Sequence, residues 1–140
     1  MIVIDCSALV SAYTDLGEIG RAARDRIAKS DAILAPYLLD VELSSALLGM
    51  ARGVRGGQPK LTQPALDAAL RDYAGLRVQR MEHLPLLPRV RELSANMSAY
   101  DATYVALAEL YDVPLVTADV RIARSGVARC AIDLLAEHAG

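Results

Sequence analysis

The 140-residue chain is 54% hydrophobic and 23% charged, which gives a globular domain long enough to bury its own core and excludes a disordered chain. It carries 13 Arg and 2 Lys against 17 acids, a formal net charge of −2, so a nucleic-acid partner requires a localised basic patch or a metal cation. Six Tyr but no Phe or Trp leave a core of Leu, Val, Ile and Ala, and make base-stacking platforms of the RNA-recognition type scarce.

Met1–Ile4 is a β-branched run that predicts a strand ending at Asp5, with Ser7 placed to cap a helix through Ala8, Leu9 and Val10. These opening residues lack the basic n-region of a secretion signal and are too short and polar to cross a membrane. Cys6 and Cys130 stand alone. A reducing, cytoplasmic setting follows, with both thiols as small core residues rather than a disulfide. Gly17–Lys29 predicts a helix with Ile19, Ala22, Ala23 and Ile27 inward, and Asp31 and Pro36 bracket a buried strand over Ala32–Ala35.

A long helix is expected from about Tyr37 to Arg52, with the stripe Leu39, Leu43, Ala46, Leu47 and Met50. Glu42 lies within that stripe, while Asp40 points about 200° away around the wheel and is expected in solvent. Gly53–Lys60, GVRGGQPK, lacks the GxxxxGK[ST] pattern and follows no strand. It reads as a flexible basic connection, with Arg52, Arg55 and Lys60 as candidate phosphate contacts. Then come a helix from Thr62 or Pro64 to Ala74 closed by Gly75, a strand over Val78–Met81, and a helix over Leu84–Ala95 with Arg89 and Arg91 on its polar side.

The stretch Ser98–Asp119, SAYDATYVALAELYDVPLVTAD, organises the rest. Ser98 followed three residues later by Asp101 has the form of a helix start. Tyr104, Val105, Ala108 and Tyr111 continue one face, with Asp101 on that face one turn upstream. Asp112 and Pro114 break the helix, Leu115-Val116 reads as a buried strand, and Asp119 follows it. A short helix over Val120–Ser125, a last strand over Ala128–Ile132 and a terminal turn over Leu134–His138 complete the chain, with His83 and His138 expected on the surface. Short strands alternating with helices predict a single-domain, three-layer α/β/α fold over residues 1–140, with a central parallel sheet of four to five short strands.

On this map Asp5 and Asp119 end strands, Glu42 sits inside a helix stripe, and Asp101 opens a helix. In a parallel sheet the strand-end acids share the carboxyl edge, where ligands bind. The helices bearing Glu42 and Asp101 can reach that edge. Converging carboxylates repel unless a cation neutralises them. An all-oxygen set suits Mg²⁺ or Mn²⁺ and disfavours zinc, and such a site is suited to hydrolysis at phosphorus. Ser7 and Thr117 are hydroxyls near two of the acids, able to orient a ligand or a water, and Arg121 and Arg124 stand near the mouth as substrate-phosphate contacts. The plainer readings remain open at this stage: Asp5 as a helix cap, Glu42 as a stripe-margin side chain with its head in water, and the arginines as a solvated face. No GxSxG is present. A haloacid-type phosphatase needs a second Asp where Ser7 stands, and a receiver domain needs a late Lys where the last is Lys60.

Taken together, IDCSAL at 4–9, VEL around Glu42, YDATYVALA at 100–108 and LVTAD at 115–119 resemble, in order and separation, the PIN-domain ribonucleases. The resemblance covers essentially the whole chain, and its length and form are similar to the toxin of a VapBC-type toxin–antitoxin pair. It implies Asp5, Glu42, Asp101 and Asp119 as metal-binding and catalytic acids, and Thr117 as the hydroxyl of the last motif. It further implies Mg²⁺- or Mn²⁺-dependent endoribonuclease cleavage of tRNA, rRNA or mRNA, a homodimer, and inhibition by a cognate antitoxin. That antitoxin would lay a peptide in a groove beside the site, for which Leu9, Val10, Leu39 and Leu43 are candidate walls, though core packing explains them equally. The alternative is a catalytically silent PIN-like fold that binds protein or RNA, its acids serving as caps and ion-pair partners.

Overall fold

The β-branched Ile2-Val3-Ile4 forms the central strand β1 (Ile2–Ile4), with Val3 and Ile4 fully buried. In this computed structural model, which describes residues 1–136 apart from Val54 and Gly56, β1 is followed by α1 (Cys6–Thr14), α2 (Glu18–Lys29), β2 (Ile33–Pro36) and α3 (Leu38–Arg52). Next come α4 (Gln63–Gly75), β3 (Gln79–Met81), a 3-10 turn over Leu84–Leu86 and α5 (Leu87–Leu93). The chain closes with α6 (Ala99–Tyr111), β4 (Leu115–Thr117), α7 (Val120–Arg124) and β5 (Ile132–Leu134).

All strand pairings are parallel, in the order β3-β2-β1-β4-β5. The chain therefore steps outward from β1 to β3, then returns to the other side of β1 to lay down β4 and β5. With right-handed crossovers, the reversal puts α1–α4 on one face and α5–α7 on the other. The packing agrees: α1 lies against α2 and α3, α3 against α4, and α5 against α6. This is the three-layer α/β/α fold with a parallel sheet that the alternation predicts. α6 is buried from Ala102 to Ala108, because it lies on β1, β2 and β4 with α5 also against it. The strand-order reversal opens a crevice at the carboxyl ends of β1 and β4, and the register Ile4↔Val116 brings Asp5 level with Thr117.

Several local expectations need correction. Asp5, not Ser7, is the N-cap of α1. β5 lies at Ile132–Leu134 rather than 128–132, because Glu109 of α6 holds the Arg129 N–H and keeps the preceding apolar run as a loop. The Leu84–Ala95 helix is split: Pro85 and Pro88 each open a helical piece, and neither has an N–H to continue one. Asp40 is not left to solvent. Its carboxylate takes the Arg80 guanidinium from β3 and the Tyr73 hydroxyl from α4, tying three elements together, and Arg80 holds it below the usual carboxylate range. Arg89 turns from the polar side of α5 onto Glu109 of α6, at 2.7 Å. His83 is half-buried, and its Nε2 accepts the Leu38 N–H at the start of α3. Leu9, Leu39 and Leu43 are sealed in the core, so of the four candidate groove walls only Val10 keeps surface. His138 and the end of the expected terminal turn lie outside the described residues. No helix among them is long and apolar enough to cross a membrane.

Candidate active site

Asp5 is buried at the β1–α1 junction and held by three hydrogen bonds. Its Oδ1 accepts the Ser7 hydroxyl at 2.7 Å and the Ala8 N–H at 3.0 Å, and its Oδ2 accepts the Thr117 hydroxyl. Each hydroxyl is used twice: Ser7 Oγ accepts the Ala118 N–H, and Thr117 Oγ1 accepts the Asp119 N–H, both at 3.0 Å. Ser7 and Thr117 thus staple the end of β1 to the end of β4. Thr117 is fully buried and Ser7 half-buried, and both hydroxyl hydrogens are donated to Asp5, which gives these two residues a holding role. Burial pushes the Asp5 carboxyl up to about 6, against the opposing pull of Thr117, Ala8 and Ser7.

Glu42 projects from the second turn of α3, and its Oε1 accepts the Tyr104 hydroxyl at 2.6 Å. Burial raises its carboxyl, Tyr104 opposes the rise, and Asp101 adds to it. Asp101 sits in the first turn of α6, behind the N-cap Ser98, whose Oγ accepts the Asp101 N–H at 3.1 Å. It too is raised, by burial first and then by the Asp119 charge. Asp119 differs. It caps α7, and its carboxylate is gripped by Arg121 through Nε at 3.1 Å and a terminal nitrogen at 2.8 Å, which lowers it.

The fields define the cluster. Asp101 is felt by Asp5 and by Glu42, and itself feels Asp119. Asp5 and Asp119 stand at the carboxyl ends of β1 and β4, and Glu42 and Asp101 come from helices on opposite faces of the sheet. Among the described residues, no group of three or more His, Cys, Asp or Glu side chains stands close enough together to hold a metal ion as placed. Arg121 and Arg124 are exposed on α7, and Arg124 makes no ion pair among the described residues. Arg52, Arg55 and Lys60 are exposed, but Arg52 stands about 15 Å along α3 from Glu42, away from the acid edge.

Two neighbours of the acids were legible in the sequence only as core residues. Cys6 lies beside Asp5 and Glu42, and burial with those charges pushes its thiol up to about 12, so it is inert as a nucleophile. Tyr104 shares the Asp101 face of α6, and that spacing was the available signal.

The PIN domain family matches residues 2–127. This chain belongs to the PIN-domain family. Relatives extend that membership over nearly the whole length. A VapC ribonuclease of Mycobacterium bovis is 39% identical over 137 residues, 96% of this chain and 98% of the relative. Ribonuclease VapC1 of Mycobacterium tuberculosis is 35% identical over 134 residues, 95% of this chain and 96% of the relative. Among solved structures, Mycobacterium tuberculosis VapC20, a sarcin-ricin loop cleaving toxin, aligns with a TM-score of 0.65 at 16% identity, over 90% of this chain and 95% of that one. VapBC2 of Rickettsia felis, bound to a promoter DNA fragment, gives 0.64 at 12% identity, over 97% and 100%. These last two show a shared fold.

The donor set of this PIN domain fits a hard divalent cation. It offers carboxylate oxygens, its one nearby thiol is pushed up by burial, and three of its four acids are raised by burial, Asp101 being the one of these three that also feels a cation, Arg121.

Proposed function

We propose that this chain is a Mg²⁺- or Mn²⁺-dependent endoribonuclease, the toxin of a type II toxin–antitoxin pair, cleaving tRNA, rRNA or mRNA in the cytoplasm. The observation that carries this reading is the placement of Asp5 and Asp119 at the paired carboxyl ends of β1 and β4, where strand order reverses, with Glu42 held by Tyr104 one helical turn from Asp101. Its support is the VapC ribonuclease at 39% identity. Asp5, Glu42, Asp101 and Asp119 would hold the ion, which supplies an acidified water and offsets charge building on the phosphodiester. Asp5 is fixed by Ser7, Thr117 and the α1 backbone, so its geometry is set before any ligand arrives. Asp101 concentrates negative charge at the centre of the cluster, which draws a cation and repels an RNA phosphate until that cation is present. Arg121 and Arg124, exposed at the rim, offer the phosphate contacts that a chain of negative net charge otherwise lacks.

The reading includes a homodimer and a cognate antitoxin. Tyr37, Val41 and Leu48 along α3, with Leu110 and Tyr111 at the end of α6, are apolar and exposed, and surfaces of that kind favour a protein partner. Purified protein is expected to cut a total tRNA and rRNA pool into discrete fragments with Mg²⁺ or Mn²⁺, and to leave it intact with EDTA or in Asp5→Asn. Absence of cleavage under any metal, by protein free of antitoxin, would favour the binding-only fold instead. Cleavage that survives in Asp5→Asn would move the site elsewhere.

A further inference from the structure

Tyr104 is the largest side chain fully buried in this protein, 1% exposed. A buried phenol needs a partner for its hydroxyl, and here the partner is a side chain rather than a backbone carbonyl. It is Glu42 Oε1, 62 residues away in sequence, at 2.6 Å. Tyr104 stands one helical turn beyond Asp101 on α6, so this contact sets the spacing between Glu42 of α3 and the central acid of the cluster. A glutamate side chain has several rotatable bonds, and an unheld carboxylate loses that freedom only when its ligand binds.

We propose that Tyr104 is a positioning residue of the acid site, its hydroxyl holding Glu42 by Oε1 so that Oε2 is left to meet a divalent cation. The inference rests on the metal-dependent reading above and adds a residue to it. The phenol is suited to this task because burial, and then Glu42 itself, push its ionisation far above the ordinary tyrosine value. The ring meanwhile belongs to the core, so the hydroxyl and the ring have separable effects, and Tyr104→Phe removes only the hydroxyl.

The test uses full-length protein: wild type, Tyr104→Phe, Glu42→Gln and the double variant. Mn²⁺ binding is titrated by calorimetry without RNA, melting is followed in EDTA, and cleavage is measured against Mn²⁺ concentration. Tyr104→Phe is expected to bind Mn²⁺ about ten-fold more weakly, the usual effect of losing a partner that orients a metal ligand. Its cleavage should recover toward the wild-type rate as Mn²⁺ is raised. The double variant should bind no more weakly than Glu42→Gln alone, because the hydroxyl acts through Glu42. Unchanged Mn²⁺ affinity in Tyr104→Phe, whatever its melting temperature, overturns the proposal, and so do additive losses in the double variant. Wild-type protein that neither binds Mn²⁺ nor cleaves RNA would remove the metal-dependent reading itself, whereas wild type that does both beside an unaffected Tyr104→Phe removes only this inference.

Discussion

At Asp5 two demands meet: the side chain closes α1 and clasps Ser7 and Thr117, yet it must also hold charge beside other acids. The consequence for stability follows from linkage. In the unfolded chain this carboxyl titrates near 3.8, and in the folded protein near 6. Between those values the unfolded state gives up its proton first, so stability falls as pH rises through about 4 to 6 and stays lower above. The rise corresponds to about 3 kcal/mol at neutral pH. Asp5→Asn keeps the shape and removes the buried charge. In EDTA it is expected to melt above wild type at pH 7.5, with the advantage gone near pH 4, as thermal melts at both values would show. A variant less stable than wild type at pH 7.5 would mean that the clasp of hydroxyls and amide needs a full carboxylate. The site's stability cost and its charge are then one property, and a bound cation would relieve it.

Among the elements, the tightest junction is between α1 and α2. Gly20 faces the end of α1, where an added Cβ would lie 1.9 Å from the Asp15 carbonyl oxygen and 2.8 Å from that of Ser11. Backbone cannot retreat as a flexible side chain can, so Gly20→Ala should cost about 1–3 kcal/mol, read as a lower urea midpoint. An unchanged midpoint would show that the two helices part easily. Most helices were legible because their apolar spacing is local and their starts carry caps, as at Ser98 and Thr62. β5 was misplaced because Val127–Ile132 is apolar apart from Arg129, and Glu109 reaching across from α6 to the Arg129 N–H holds part of that stretch in the loop before the strand.

The whole molecule is a parallel sheet whose strand order reverses beside β1, with helices of both faces delivering acids to one edge. Asp101, in the first turn of α6, is raised by burial and by the Asp119 charge, so it should contribute strongly to the response to divalent ions. Mn²⁺ at one hundred times its dissociation constant is expected to stabilise the wild type by about 2.7 kcal/mol, seen as a rise of a few degrees in melting temperature. Asp101→Asn should lose most of that rise. A melting temperature indifferent to Mn²⁺ would speak for acids that serve only as caps and ion-pair partners.

Periodicity and end signals along the chain sufficed for the α/β class, the parallel sheet, and the elements carrying Asp5, Glu42, Asp101 and Asp119, because each depends on residues within a turn or two. What those residues touch did not follow from them. That Thr117 closes on Asp5 across 112 positions, that Tyr104 meets Glu42, and that Asp40 takes Arg80 rather than solvent were decided by strand order and helix packing. A wheel or an alternation tells a side chain which way to point. Only the folded chain supplies what is there to meet it.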